Sequence, residues 1–527
     1  MLKRLFAAAL VAFAVVSSHA SAQSWKQLQW GMNTATSPYQ VGVNVSGSWY
    51  SIATMTSGGT FLPSTLAAFS CASSRWLSSS SSIGAAVCTQ PAFSNLSGSI
   101  AASQLITPTG STLGGVKSSS AGANQFATGI DTTGAVTYAQ PTYADIGGPA
   151  GVDPLGLVSS SAAINTALAA GTFFKLPCGT FLIDAPLIAR SGSDIGGSGA
   201  CTVLQISPSL ATDTSAQFGT LRHVVTNSDY TSGNTDIYVH DLVIDSTAGP
   251  TTGVHIHAIG FYKVTRAGVY NVEIRSAAGQ LLDDGTAFVA SSEYFVRNNR
   301  IYGTINACID QWGGSTDFEI SGNLCDGLNL DNYGILVSGF NTDLTAATSQ
   351  RGSIVGNVVK NFPGVGIWLQ GGWNTVTGGG ATYGLVKKVS VIGNSVSGIS
   401  GYHGIYLTDA SNNTVVGNTM ENIGRLGLVV TSENGGVSTN NVLSDNVIVS
   451  CNAAAASSPC IQLMPSASYN TFDNNTIVGT SQSYSYVIDG GATGNIIRGG
   501  ITPVGTIGDV SDGGTATQLQ IGNAFVT

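Results

Sequence analysis

Charge is what this chain has least of: 9% of its 527 residues are Asp, Glu, Lys or Arg. That is too little for a charged coiled coil or an acidic disordered tail. Lys and Arg number 19 against 28 acidic residues, for a net charge of −9. No basic run occurs that could neutralise a phosphate backbone, which argues against nucleic acid as a partner. After the first 22 residues no stretch reaches the roughly eighteen uninterrupted apolar residues of a membrane helix, so no membrane span is expected. A C-x-x-C spacing is absent as well, and with it the usual signature of structural zinc. What remains is 43% hydrophobic, with 68 glycines and 8% aromatics: a β-rich chain of extracellular character, long enough for a large core and more than one domain.

Residues 1–22 have the form of a secretory leader. Lys3 and Arg4 supply the positive start, Leu5 to Val16 the short apolar run, and Ala20-Ser21-Ala22 the cleavage site. A mature chain beginning at Gln23 would be secreted and meet an oxidising compartment. Its eight cysteines, at 71, 88, 178, 201, 308, 325, 451 and 460, then suggest sequential disulfides. Cys71–Cys88, Cys178–Cys201 and Cys451–Cys460 are the favoured pairs, whereas Cys308 and Cys325 fit a disulfide or two core thiols equally well.

Residues 23–150 are rich in Ser, Thr, Gly and Ala and carry an internal echo, Gln90-Pro-Ala-Phe-Ser-Asn-Leu-Ser-Gly98 returning as Gln140-Pro-Thr-Tyr-Ala-Asp-Ile-Gly-Gly148. The stretch from Leu113-Gly-Gly-Val-Lys117 to Gly129-Ile-Asp-Thr-Thr-Gly-Ala-Val-Thr-Tyr-Ala-Gln140 resembles repeats of bacteriophage tail-fibre and related collar proteins. The resemblance implies attachment or oligomerisation, a homotrimer included.

A short helix follows, with Ser159 to Ser161 as candidate N-caps, Ile164, Ala167 and Leu168 on one face and Gly171 past its end. The run from Ala162 through Leu176-Pro-Cys-Gly-Thr180 to Ile183, then Ser191 to Gly199 and Thr202-Val-Leu204, resembles the opening of the pectate-lyase-like right-handed parallel β-helix superfamily. The resemblance implies an all-β solenoid of about ten or more coils over residues 151–500, closed by a C-terminal cap at 501–527.

Periodicity supports this independently. An apolar-rich strand pattern restarts at Val239, Val269, Val296, Ile320, Ile354, Val391, Val415, Leu443 and Phe472, spacings of a repeat whose units cannot bury a face alone. Asn recurs in the fourth slot at 299, 323, 357, 394, 418, 446 and 475, where stacked amides would bond along the solenoid. A second strand reads Gly-apolar-x-apolar at Gly253-Val-His-Ile256, Gly334-Ile-Leu-Val337, Gly366-Ile-Trp-Leu369, Gly404-Ile-Tyr-Leu407 and Gly427-Leu-Val-Val430, with Cys in place of Gly at 308 and 460.

With period two, the x position of that strand points outward. Stacking the coils predicts an outer strip of His255, Ala287, Asp310, Leu336, Trp368, Tyr406, Val429 and Gln462, and beside it His257, Val289, Trp312, Ser338, Gln370 and Thr408. His255, His257, Trp312, Trp368 and Tyr406 are the candidate sugar-binding residues. Their alternative is cover by the N-terminal segment or by another subunit, with Leu336, Trp368 and Val429 as an apolar interface.

Acidic residues gather beside this strand at Asp283, Asp284, Asp310 and Asp331. Glycosidic hydrolysis requires one carboxylic acid and one carboxylate a few ångströms apart, and neighbouring coils can supply them. Asp284 and Asp310 are the expected pair, with Asp283 and Asp331 as substitutes; Asp is also common in turns for its bonds to backbone N–H groups. Leu281-Leu-Asp-Asp-Gly285 and Gly401-Tyr-His-Gly404 resemble fragments of polygalacturonase motifs but stand too far apart to carry that activity over, and His403 reads as a turn residue. His255 and His257 share a strand face without a third ligand placed by spacing, so neither metal nor cofactor is expected. The strip holds no Lys or Arg to stabilise an enolate, which disfavours a polysaccharide lyase, although Arg297, Arg300 and Arg351 lie at turns nearby. The arrangement resembles tailspike depolymerases, implying an extracellular polysaccharide-degrading protein; a non-catalytic adhesin or fibre is the alternative.

Overall fold

In a computed structural model of the chain, the residues described are 151–170, 174–210, 222–330, 332–339, 347–371, 384–433, 435–452, 458–479, 484–500 and 508–521. Short strands at 28–33, 39–45, 48–55, 61–63, 76–80, 86–89, 126–130, 136–139 and 524–526 are described as well, with residues 131 and 135. The expected leader, the Cys71–Cys88 pair, the echoed segments, Gly171 and Asp331 lie outside the described residues.

Two compact units divide the chain, one of residues 1–120 with 129–137 and the other of 121–128 with 138–527. The first contains a four-stranded antiparallel sheet, Leu28–Asn33, Tyr39–Val45, Ser48–Met55 and Phe61–Pro63, and an antiparallel pair, Trp76–Ser80 with Ala86–Thr89.

The second is a right-handed parallel β-helix. Each coil contributes to three sheets in turn: sheet A of 15 strands, and sheets B and C of 12 strands each. The helix Ser161–Ala169 precedes the winding and buries Ile164 and Leu168. Ser160 stands at its N-cap, but makes no capping bond; its hydroxyl accepts from the N–H of Asp153 instead.

The repeat that the sequence displays is the register of sheet A. Val239, Val269, Val296, Ile320, Ile354, Val391, Val415, Leu443 and Phe472 pair successively in parallel, and all are buried. Each such side chain contributes about 1.5–3 kcal/mol by leaving water. At the turn from A to B, Asn299, Asn323, Asn357, Asn394, Asn418, Asn446 and Asn475 are buried and donate one to the next at 2.8–2.9 Å. The residue before each takes the left-handed conformation: Asn298, Gly322, Gly356, Gly393, Gly417, Asp445 and Asn474 all have φ between 52° and 66°. The paired Gly-Asn and Asn-Asn spellings are thus one turn, the first residue supplying the bend and the second the ladder.

A second ladder escaped the sequence reading. Asn413, Asn441, Asn470 and Asn495 stack where the chain enters sheet A; in earlier coils Ser291 and Ser315 take that place.

Cys178–Cys201, Cys308–Cys325 and Cys451–Cys460 are disulfides, which settles Cys308 and Cys325 in favour of the bond. Cys308 stands in an inward column where its neighbours are Gly285 and Gly334; a Cβ at Gly285 would meet Ile301 at 2.6 Å. A cysteine fits there because it bonds across the core to sheet B. Past residue 500, Gly508–Asp512 and Gln518–Ile521 still pair in parallel, and Ala524–Val526 closes the end antiparallel.

Candidate functional site

The chemistry-bearing residues lie on sheet C. Its strands here are β1 (Arg222–Asn227), β2 (Ile256–Tyr262), β3 (Leu282–Val289), β4 (Ala307–Trp312), β5 (Tyr333–Ser338), β6 (Val365–Gln370), β7 (Ile405–Thr408) and β8 (Leu428–Thr431). Inward columns such as Ile309, Ile335, Ile367, Ile405 and Leu428 fix their register.

The outer column is Gly260, Ala287, Asp310, Leu336, Trp368, Tyr406, Val429 and Gln462. The sequence reading is therefore corrected at its first member: Gly260, and not His255, stands in line with Asp310, and Tyr262, and not His257, in line with Val289. Gly253-Val-His-Ile256 imitates the repeat, but the strand equivalent to Gly285-Thr-Ala-Phe288 is Ala258-Ile-Gly-Phe261, five residues later. That shift sets His257 directly beside Asp284 across adjacent coils.

A cluster results. His257 Nε2 lies 3.1 Å from Asp284 Oδ2 and 3.8 Å from Asp283 Oδ2, and His255 Nδ1 lies 2.8 Å from Asp283 Oδ1. His257 and Asp284 are buried, whereas His255 is exposed. Asp284 Oδ1 accepts from the side-chain amide of Asn306 and from the N–H of Ala307. Asp310, 8% exposed, has a buried Oδ1 with no hydrogen-bond partner. Beneath His257, His223 pairs with Tyr262 at 3.0 Å and meets His257 edge-on at 5.2 Å.

This environment separates the carboxylates. Burial, with the charges of Asp284 and Asp283, pushes Asp310 well above the ordinary carboxylate range. Burial also raises Asp284, to about 7, against the opposing charge of His257. Asp283 is partly buried too, but its bonds and attraction to His257 and His255 outweigh that burial and hold it below the ordinary value. For His257, burial works downward and loses to Asp284 and Asp283, leaving the imidazole raised.

His257, Asp283 and Asp284 could also ligate a cation, since one donor atom from each falls within 4.8 Å of the others. Spacing alone placed no third ligand beside the histidines; the fold supplies carboxylates from the next coil. The outer column holds no Lys or Arg; Arg222 opens β1 outside that column, in register with Ile256, and its Nε and Nη1 are buried without hydrogen-bond partners. Arg297 and Arg351 instead bond Glu319 and Asp317 on sheet A.

The aromatics differ from the exposed row that the sequence suggested. Trp312 is half-buried at the corner with Tyr262 and Val289. Trp368 is half-buried, donates to Thr408 Oγ1 at 3.0 Å and stacks on Tyr406 at 5.4 Å. Tyr406, expected in the open groove, is 1% exposed and donates to Glu433. Leu336 and Val429 are buried as well, so they offer no open apolar strip. Tyr333 and Tyr402, which the sequence reading missed, flank Trp368 and Tyr406 and remain half-exposed. His403 is buried beside them, pushed down to about 3 by burial and by Arg425.

The comparisons with known proteins agree with the architecture. The family model described as a right handed beta helix region matches residues 344–501. A surface adhesin of Streptococcus pneumoniae, PfbA, superposes with a TM-score of 0.52 at 13% identity, over 70% of this chain and 92% of that one. A family 28 exopolygalacturonase of Yersinia enterocolitica gives 0.49 at 11% identity over 72% and 78%. The tailspike of E. coli bacteriophage HK620, solved with a pentasaccharide, gives 0.43 at 12% over 70% and 78%. No curated protein matches the chain. The chain thus contains a right-handed β-helix region and shares that fold with the solved structures.

Proposed function

We propose that this is a secreted, polysaccharide-binding β-helix protein that hydrolyses glycosidic bonds at the Asp283, Asp284 and Asp310 cluster. The observation that carries the reading is Asp310: a buried carboxyl on the outward face whose Oδ1 has no hydrogen-bond partner and whose proton affinity burial raises well above the ordinary range. A solenoid gains nothing from such a group, since an unpaired buried polar atom costs about 1–3 kcal/mol. A neutral carboxylic acid is what protonation of a leaving oxygen requires.

Asp283 then serves as base, because it is the more accessible carboxylate and is held ionised. It takes a proton from water as the water oxygen attacks the anomeric carbon; the C–O bond to the leaving sugar breaks, and its oxygen takes the proton of Asp310. Asp284, tied to Asn306 and Ala307, keeps Asp310 neutral and orients His257. Asp283 and Asp310 stand on adjacent coils of sheet C, and the configuration of the released sugar reports whether a water fits between their carboxyls.

The reading uses no cofactor. Disulfides among the described residues fit an oxidising compartment, and the tailspike resemblance favours a homotrimer with the 23–150 segment as its attachment module. Arg222 lends support to a second reading, a polysaccharide lyase. Incubation with bacterial and plant polysaccharides separates the two: new reducing ends without ultraviolet absorbance support hydrolysis, and an absorbing unsaturated uronate supports the lyase. Binding without cleavage across the panel leaves the adhesin.

A further inference from the structure

The carboxylate cluster does not account for a second group of rings, on the outer face of sheet A. Asp194–Gly196, Thr235–His240, Thr265–Tyr270, Ser292–Arg297 and Thr316–Ser321 are successive strands of that sheet. Their outward side chains bring together Tyr238, His240, Tyr270 and Phe295. His240 stacks on Tyr270 at 4.6 Å with planes 6° apart, Phe295 lies 5.9 Å from Tyr270 and 6.3 Å from Tyr238, and the Arg297 guanidinium sits 4.3 Å above Phe295.

Two glycines make room for these rings. A Cβ on Gly268 would fall 2.4 Å from Phe295 Cζ, and one on Gly196 would fall 2.9 Å from His240 Cε1. Tyr238, Tyr270 and Phe295 remain partly exposed. Hydrogen-bonding groups surround them in fixed positions: His240 bonds Asp194 at 2.7 Å and Asp241 at 2.8 Å, and Arg297 holds Glu319.

The fold itself does not call for aromatics here. The column of Tyr270 continues as Arg297, Ser321 and Val355, and that of Phe295 as Glu319, Ser353 and Ser390. Serine closes later coils equally well, so the rings are confined to the coils that also carry the carboxylate cluster. Aromatic faces interleaved with oriented carboxylates and a guanidinium suit pyranose rings, whose C–H faces stack and whose hydroxyls bond. The acidic groups are at least as many as the basic ones, which does not suit a polyanion.

We propose that Tyr238, His240, Tyr270 and Phe295 form a second, non-catalytic site that holds an uncharged stretch of polysaccharide beside the cluster on sheet C. The proposal rests on the polysaccharide reading above but not on hydrolysis. It deepens that reading by giving the chain two holdings on one polymer, which would raise retention through effective concentration.

The test uses the full mature chain in affinity electrophoresis through gels containing galactomannan, soluble β-glucan or polygalacturonate. Tyr270→Ala with Phe295→Ser is expected to weaken retention by a neutral polymer about tenfold, with an unchanged melting temperature and unchanged cleavage of short oligosaccharides. Tyr270→Phe should retain most of the binding. Retention of the double variant equal to that of the unaltered protein would overturn the proposal, as would retention only by polygalacturonate that salt abolishes, or no retention on any gel. A protein that binds through these rings but cleaves nothing keeps the second site and loses the hydrolase reading. One that cleaves short oligosaccharides while the double variant binds like the unaltered protein does the reverse.

Discussion

At the scale of residues, the cluster places carboxyl groups where a fold would avoid their charge. Asp310 and Asp284 are both raised by burial, so the folded state disfavours their ionised forms. The linked stability is present at acid pH and is lost as pH rises from the ordinary carboxylate range through their raised values. Asp310→Asn should therefore increase the melting temperature by about 1–4 °C, with the larger gain at pH 8 than at pH 5. Calorimetry at the two pH values checks this, and equal gains would mean that Asp310 is not buried uncharged. The rate should show the same separation. Its acid limb follows Asp283, below the ordinary carboxylate range, and its alkaline limb the ionisation of Asp310, which an initial-rate profile over pH measures.

Residue types were legible at this scale, and their surroundings were not. Asp283, Asp284 and Asp310 could be picked out because carboxylates are rare in the chain, but nothing local told which of them would be accessible. His257 reached the cluster through a register that its own sequence disguises: Ala258 fills the inward slot in which the repeat elsewhere puts Gly or Cys. Tyr406 looked outward by periodicity, as it is, and yet is buried against Trp368, Tyr402 and Leu426. Alternation gives a side chain's direction and says nothing of what packs over it.

At the scale of elements, the turns carry more of the structure than the strands. Each ladder asparagine donates to its neighbour and to a backbone carbonyl, as Asn394 does to Asn418 and Ile354, while its oxygen accepts from Asn357. Asn394→Ala would leave several buried groups unpaired at once and should cost about 2–4 kcal/mol in chemical denaturation. A loss below 1 kcal/mol would show that the ladder is an ornament of the turn. The first ladder was legible because Gly-Asn repeats with the period of the coil. The second was hidden because Ser does its work in the early coils and Asn in the late ones.

The disulfide Cys308–Cys325 spans 17 residues in sequence, for which loop entropy gives about 3 kcal/mol. The double substitution Cys308→Ala with Cys325→Ala should lose that amount in denaturation, provided oxidised protein is the reference. Cys308 and Cys460 both occupy the inward column held elsewhere by glycine. A cysteine in that slot points at sheet B, a reason to expect a bond that spacing alone did not give.

At the scale of the whole molecule, a parallel β-helix is a stack in which neighbouring coils place residues some thirty positions apart side by side. Function can therefore concentrate on a few coils while the others keep the stack closed. The segment between Asp194 and Glu319 carries both the carboxylate cluster on sheet C and the ring group on sheet A, whereas the columns of Tyr270 and Phe295 continue in the coils beyond as Val355 and Ile392, and as Ser353 and Ser390. The fold was readable from periodicity because every coil repeats the same requirement. The site was only partly readable because it consists of the departures from that repeat, and a departure shows its purpose only when its neighbours on adjacent coils are known.

The most direct test of the central claim is the release of reducing ends by Asp310→Asn, compared with the unaltered protein on a polysaccharide that the latter cleaves. The account predicts a fall in kcat of about 10²–10⁴-fold with polymer binding and folding intact, and a loss of the alkaline limb. Cleavage at the unaltered rate by a folded Asp310→Asn protein would contradict it and take the acid out of this cluster.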